Sequence, residues 1–83
     1  MMQVPDRLTL ANARAALAEG LSAIAAGQRE FDLSPVTAVD SSAVALVLAW
    51  KRAARDHGAE LVIAHAPESL HSLAQLYGVA GLL

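Results

Sequence analysis

This chain predicts an α/β fold: a small, mostly parallel sheet with helices packed on it. Three observations carry the prediction. Segments 29–33 and 60–65 have strand character and flank a helical segment, 42–57. A strand, a crossover helix and a second strand imply parallel pairing and a right-handed connection. The run LVIA at 61–64 is continuously apolar, as in a parallel strand covered on both faces. Glycines stand where the helical patterns end, at Gly27, Gly58 and Gly78.

The elements follow in order. Met2 to Val4 reads as the tail of a strand, ended by Pro5. Thr9 is the expected N-cap of a helix over about 10–26. Leu10, Ala13, Leu17, Leu21 and Ile24 recur at helical spacing and predict one buried stripe. Gly20 interrupts that helix at a cost of about 1 kcal/mol relative to alanine. Arg29 to Leu33 is a strand with Phe31 and Leu33 on one face, broken by Ser34-Pro35. Val36 to Val39 reads as a mixed loop of β-branched character. The next helix spans about Ser42 to His57, capped by Asp40 or Ser41. Lys51, Arg52 and Arg55 complement the dipole at its far end. After the 60–65 strand, Pro67 and Glu68 open a helix with Leu70, Leu73, Ala74 and Tyr77 on one face. The tail VAGLL is expected to pack back as a short helical turn.

Composition narrows the function. At 83 residues the chain is one domain, 1–83. Hydrophobic residues make up 55% and charged residues 17%, which is greasy for so small a fold. Some apolar surface is expected to stay uncovered, and such surface marks a partner. A net charge of −2 without a basic stripe argues against nucleic acid. Without cysteine there is no disulfide framework and no thiolate metal site. The opening MMQVPDRLTL lacks the pattern of a signal peptide, and a reducing cytoplasm is permitted. The longest apolar run, Ala43 to Trp50, falls far short of a bilayer span, so no direct membrane insertion is expected. His57, His65 and His71 match no zinc spacing, and no phosphate-binding or dinucleotide fingerprint appears. No cofactor is called for, and no catalytic residue stands out.

Two features carry candidate function. The turn Asp40-Ser41-Ser42 follows a strand and opens a helix, on the edge of a parallel sheet where binding sites lie. A hydroxyl there serves as a cap, a docking point or a phosphoacceptor. Catalysis by Ser41 lacks a positioned base and an oxyanion site. The segment AVALVLAW is apolar nearly all round, so part of it faces either neighbouring helices or a partner. Trp50 is its natural anchor, in the core or on a partner.

The run FDLSPVTAVDSSAVALVLAWKRA resembles the STAS domain, the fold of anti-sigma factor antagonists. Asp40, Ser41 and Ser42 match that family's Asp-Ser-Ser-Gly segment, in which the first serine is the phosphoacceptor. Ala43 stands where the family usually has glycine. The turn VT-x-VDS, the helix running into Trp50-Lys51-Arg52 and the late LHSLAQLYGVAGLL resemble MlaB-like chains in particular. Those are small cytoplasmic STAS subunits of ABC transporters that move phospholipids and maintain outer-membrane lipid asymmetry. The resemblance implies a non-enzymatic adaptor that binds and stabilises or activates the transporter's ATPase subunit. It would be peripheral to the inner membrane through that complex. The partner-binding residues would be Thr37, Asp40, Ser41, Ser42, Val44 and Trp50. The alternative is an anti-sigma factor antagonist regulated by phosphorylation of Ser41. STAS domains open with two strands before the first helix. Here only the end of the second is expected, so the N-terminal strands read as shortened or missing. A sheet edge left open in this way invites a homodimer.

Overall fold

The computed structural model describes residues 2–83. The elements are β1 (Met2–Gln3), β2 (Arg7–Leu8), α1 (Ala13–Ala25), β3 (Glu30–Asp32), β4 (Ala38–Val39), α2 (Ser41–Asp56), β5 (Val62–Ala64) and α3 (Glu68–Leu76). A 3-10 turn over Ala80–Leu82 closes the chain, as the apolar tail predicted. One sheet has the order β1-β3-β5, and a second pairs β2 with β4. Every pairing is parallel, with Phe31 opposite Met2 on one side and Ile63 on the other.

Both opening strands are therefore present, each shortened to two residues. Beyond β1, the Val4 amide donates to the Asp32 carbonyl at 3.3 Å and prolongs that pairing. The segment expected as a loop, 36–39, contains β4. It was hidden because its partner β2 is equally short, and two residues show no periodicity.

Helix α1 starts three residues later than predicted. Thr9 is not its cap. The Asn12 side chain instead folds the preceding turn, accepting from the Thr9 amide at 3.0 Å and donating to the Arg7 carbonyl at 2.7 Å. The buried stripe is also rotated from the predicted one. Ala16, Gly20 and Ile24 are buried, whereas Leu10 is 78% and Leu21 40% exposed.

Trp50 packs against this face. It is fully buried, and its ring lies edge-on to Phe31 at 5.2 Å between centroids. A Cβ built on Gly20 would overlap Trp50 Nε1 and lie 2.6 Å from Cδ1. The two helices approach closely only because α1 has no side chain at that point. Trp50 Nε1 is buried without a hydrogen-bond partner among the described residues. The packing tolerates that cost for the area the indole buries.

The core is completed by Leu8, Leu33, Val44, Val47, Leu61, Leu70 and Ala74, among others. Strand β5 differs from prediction in one respect. It lies at a sheet edge, and Val62 is 51% exposed, so the strand is not covered on both faces. In α3, Leu70 and Ala74 face the core, but Tyr77 is 54% exposed and does not share their face. Tyr77 is the C-cap residue, where the helical geometry ends.

Candidate functional site

The start of α2 is organised by one carboxylate. Asp40 has extended backbone geometry and is the N-cap, its Oδ1 accepting from the Ser42 amide at 2.8 Å. Its other oxygen, Oδ2, accepts from the Leu10 amide at 2.9 Å. One side chain thus joins the α2 N-terminus to the loop that leads into α1. The Asp40 amide continues the β2–β4 ladder by donating to the Leu8 carbonyl at 3.3 Å. Thr37 anchors the other end of that ladder, its amide donating to the Asp6 carbonyl at 2.7 Å and its hydroxyl at 3.2 Å.

These bonds hold the Asp40 carboxyl below its ordinary pKa of 3.8. The Leu10 amide lowers it most, desolvation opposes, and the Ser42 amide and hydroxyl add to the lowering. A depressed carboxylate contributes stability that is fully present above the ordinary value. That stability is lost as pH falls through the lower, folded-state value. Asp40→Asn is therefore expected to unfold at a lower temperature than wild type at neutral pH. The gap should narrow below the ordinary carboxylate pKa. Thermal unfolding of both proteins across that range checks this, and a gap that widens in acid contradicts it.

With Asp40 as the cap, Ser41 is not needed for capping. It is the first residue of α2 and is exposed. Ser42, half-buried, offers its amide to Asp40. Thr37 is also exposed. The other two expected contact residues lie elsewhere. Val44 is 5% and Trp50 0% exposed, so both belong to the core and neither side chain is on the surface. In the all-round apolar AVALVLAW segment, the residues that fill the core are the large ones. Ala43 is fully buried as well, so the position where the family usually has glycine accepts a methyl group into the core.

The outward side of the helix pair is a groove of about 370 Å³ between α1 and α2. Ala13, Leu17, Ala45, Leu46 and Ala49 form it, with Arg14 and Ser42 at its margin. Ser42, next in the chain to Ser41, lines one end of it, and the groove is almost wholly apolar. Small residues keep it shallow and leave room for another side chain. Leu21, one turn beyond Leu17 on α1, and the exposed Leu10 add further uncovered apolar surface.

A second cluster occupies the carboxyl ends of β3 and β5, and residue-by-residue reading of the sequence missed it. Asp32 is 8% exposed, and its Oδ1 accepts from the Ser34 amide at 2.9 Å. His65 Nδ1 lies 3.1 Å from the same oxygen. To reach it, His65 takes a left-handed backbone with φ 58°, the one positive φ among the described non-glycine residues. Such geometry is strained for an L side chain and is kept where surrounding contacts demand it. The available signal was a carboxylate inside a strand otherwise destined for the core.

Among the described residues, no helix is long and apolar enough to cross a membrane. No curated protein matches the chain. The family model described as "Mlab, STAS domain" matches residues 1–83, the whole length. The parallel sheet, the Asp40-capped helix and that full-length match agree: the chain belongs to the STAS-domain family and is most like MlaB within it.

Proposed function

We propose that this protein is a non-catalytic adaptor. It docks on the ATPase subunit of an ABC-type phospholipid transporter that maintains outer-membrane lipid asymmetry, and stabilises or activates that subunit. One observation carries the reading: an apolar groove between α1 and α2 is lined by Ser42, next in the chain to the exposed Ser41, in an MlaB-like STAS domain. The groove offers apolar area and Arg14 and Ser42 a polar rim, the composition of a protein interface. Asp40 ties Ser42, on that margin, to the loop before α1 through Leu10. In this reading the protein is cytoplasmic and peripheral to the inner membrane through the complex.

Ser41→Asp is expected to weaken capture of the ATPase subunit, because a second carboxylate beside Asp40 must be desolvated at the contact. Affinity purification of wild type and variant checks this. Equal recovery of the ATPase subunit by both moves the interface away from Ser41.

A second reading is favoured by one observation, the exposure of Ser41 just inside the cap. In that reading the protein is an anti-sigma factor antagonist, and Ser41 accepts a phosphoryl group. The phosphate sets a near-dianion beside the Asp40 carboxylate, and their repulsion loosens the cap that joins Leu10 to α2. Phosphate on Ser41 in protein isolated from cells, found by mass spectrometry, selects this reading.

Self-association is a further expectation of the fold. Strand β5 ends its sheet with Val62 half exposed, leaving an edge for a second copy. Sedimentation of the protein alone tests it.

A further inference from the structure

A second cavity, larger than the α1–α2 groove, lies at the opposite end of α2, roughly 21 Å along the helix from Ser41 at 1.5 Å per residue. It has a volume of about 650 Å³, within the usual range of small-molecule sites. One wall carries Lys51, Arg52 and Arg55 from the last turns of α2. Apolar surface comes from Leu48, Leu61, Leu82 and Leu83, the last two brought there by the closing 3-10 turn.

The charge of this cavity is out of keeping with the rest of the chain. The protein has a net charge of −2 and six lysines and arginines in all, and three of those six line this one space. Among the described residues, none of the three forms an ion pair. Glu60 is the single acidic side chain on the lining, which leaves a surplus of two positive charges among the lining side chains. Complementing the α2 dipole calls for one or two cations in the last turn. It does not call for an apolar recess beside them.

We infer that this cavity binds an organic phosphate, a phosphate monoester head carried on an apolar body. A monoester carries close to two negative charges at neutral pH, which matches the surplus. Arginine binds phosphate through two parallel N–H donors, and two arginines with a lysine supply donors for all its free oxygens. A carboxylate would leave one cation unmatched, and inorganic phosphate would leave the leucines facing water. The inference is independent of the docking surface, which lies at the other end of α2.

The test measures binding of inorganic phosphate, n-octyl phosphate below its micelle concentration, and n-octyl glucoside to the full chain by calorimetry. Octyl phosphate is expected to bind more than about tenfold more tightly than inorganic phosphate, since burying two or more methylenes suffices for that factor. The glucoside should not bind measurably. Arg52→Gln with Arg55→Gln should weaken octyl phosphate by at least about tenfold, through loss of charge-assisted hydrogen bonds. Glu60→Gln should strengthen it. Both arginines are exposed, so circular dichroism of the double variant should match wild type. Cosedimentation with phosphatidylcholine vesicles, with and without phosphatidic acid, identifies the source. Selective binding to the phosphatidic acid vesicles places the phosphate on a lipid, and binding of the soluble ester alone makes the ligand a metabolite. Octyl phosphate that binds no better than the glucoside, or equally to the double variant, overturns the inference.

Discussion

Gly20→Ala is expected to destabilise the protein by about 1–3 kcal/mol, the usual cost of overpacking a filled core. Helix propensity alone predicts the opposite sign, a gain of about 1 kcal/mol. The clash wins because the added methyl group meets the rigid indole of Trp50 rather than the end of a flexible chain. Trp50 has no room to retreat, being fully buried with its ring edge-on to Phe31. Denaturant unfolding of Gly20→Ala measures the effect. A double-mutant cycle with Trp50→Leu isolates its cause. Trp50→Leu is itself costly, but in that background Gly20→Ala should cost much less, because the colliding ring is gone. If Gly20→Ala stabilises the wild-type protein, the helices are not in this close approach.

The second large effect is expected on binding. Ala45→Glu should reduce affinity for the transporter ATPase subunit by more than about tenfold, because it sets an unpaired charge in an apolar groove that must dry on docking. Ala45 is exposed, so stability of the isolated protein should change by no more than about 0.5 kcal/mol. Gln75→Glu on the exposed side of α3 is the matched control, with the same added charge away from the groove. A loss with Ala45→Glu but not with Gln75→Glu supports the α1–α2 face. Loss with Gln75→Glu alone places the interface on α3 instead. The readout separates from that of Ser41→Asp. A partner that tolerates the change at Ser41 but not at Ala45 uses the groove without Ser41.

Much of the fold was legible because local rules and tertiary demands coincide. The three helices end at glycines with positive φ, as predicted, since the left-handed turn that closes a helix suits few other residues. Phe31 and Leu33 are both buried, as their placement on one face implied. The Asp-Ser-Ser turn opened a helix where expected, and Asp40 proved to be its cap. Of the α1 stripe, Ile24 is in the core and Ala13 and Leu17 pack against it, but Leu10 and Leu21 are exposed, because periodicity favours leucine over glycine for the core position. The core instead selected Gly20 for its lack of volume. Val44 and Trp50, expected at the partner contact with Trp50 open to either role, are in the core, because apolar character does not distinguish a core from an interface.

The candidate surface shows the same division. Ser41 and Thr37 were expected at the binding edge and are exposed there. Ala13 belongs to the stripe expected to be buried, and Ala45 and Ala49 to the AVALVLAW segment, but nothing in alanine itself marks a groove, because alanine in a helix satisfies every local rule. The Asp32–His65 contact joins residues 33 apart in sequence, and only β3–β5 pairing brings them together.

By itself, the sequence determined the α/β class, the order of the longer elements, the helix ends and the turn that opens α2. These depend on short-range periodicity, capping and backbone preference, each decided within a few residues. Tertiary structure alone decided which side of each helix is buried, which strands lie at an edge, and where the cations of α2 meet the C-terminal leucines. Those outcomes depend on volume and register between segments distant in the chain. The close approach of Trp50 to Gly20 is one such outcome: it joins two helices through residues 30 apart in sequence, on a face that leucine spacing did not mark.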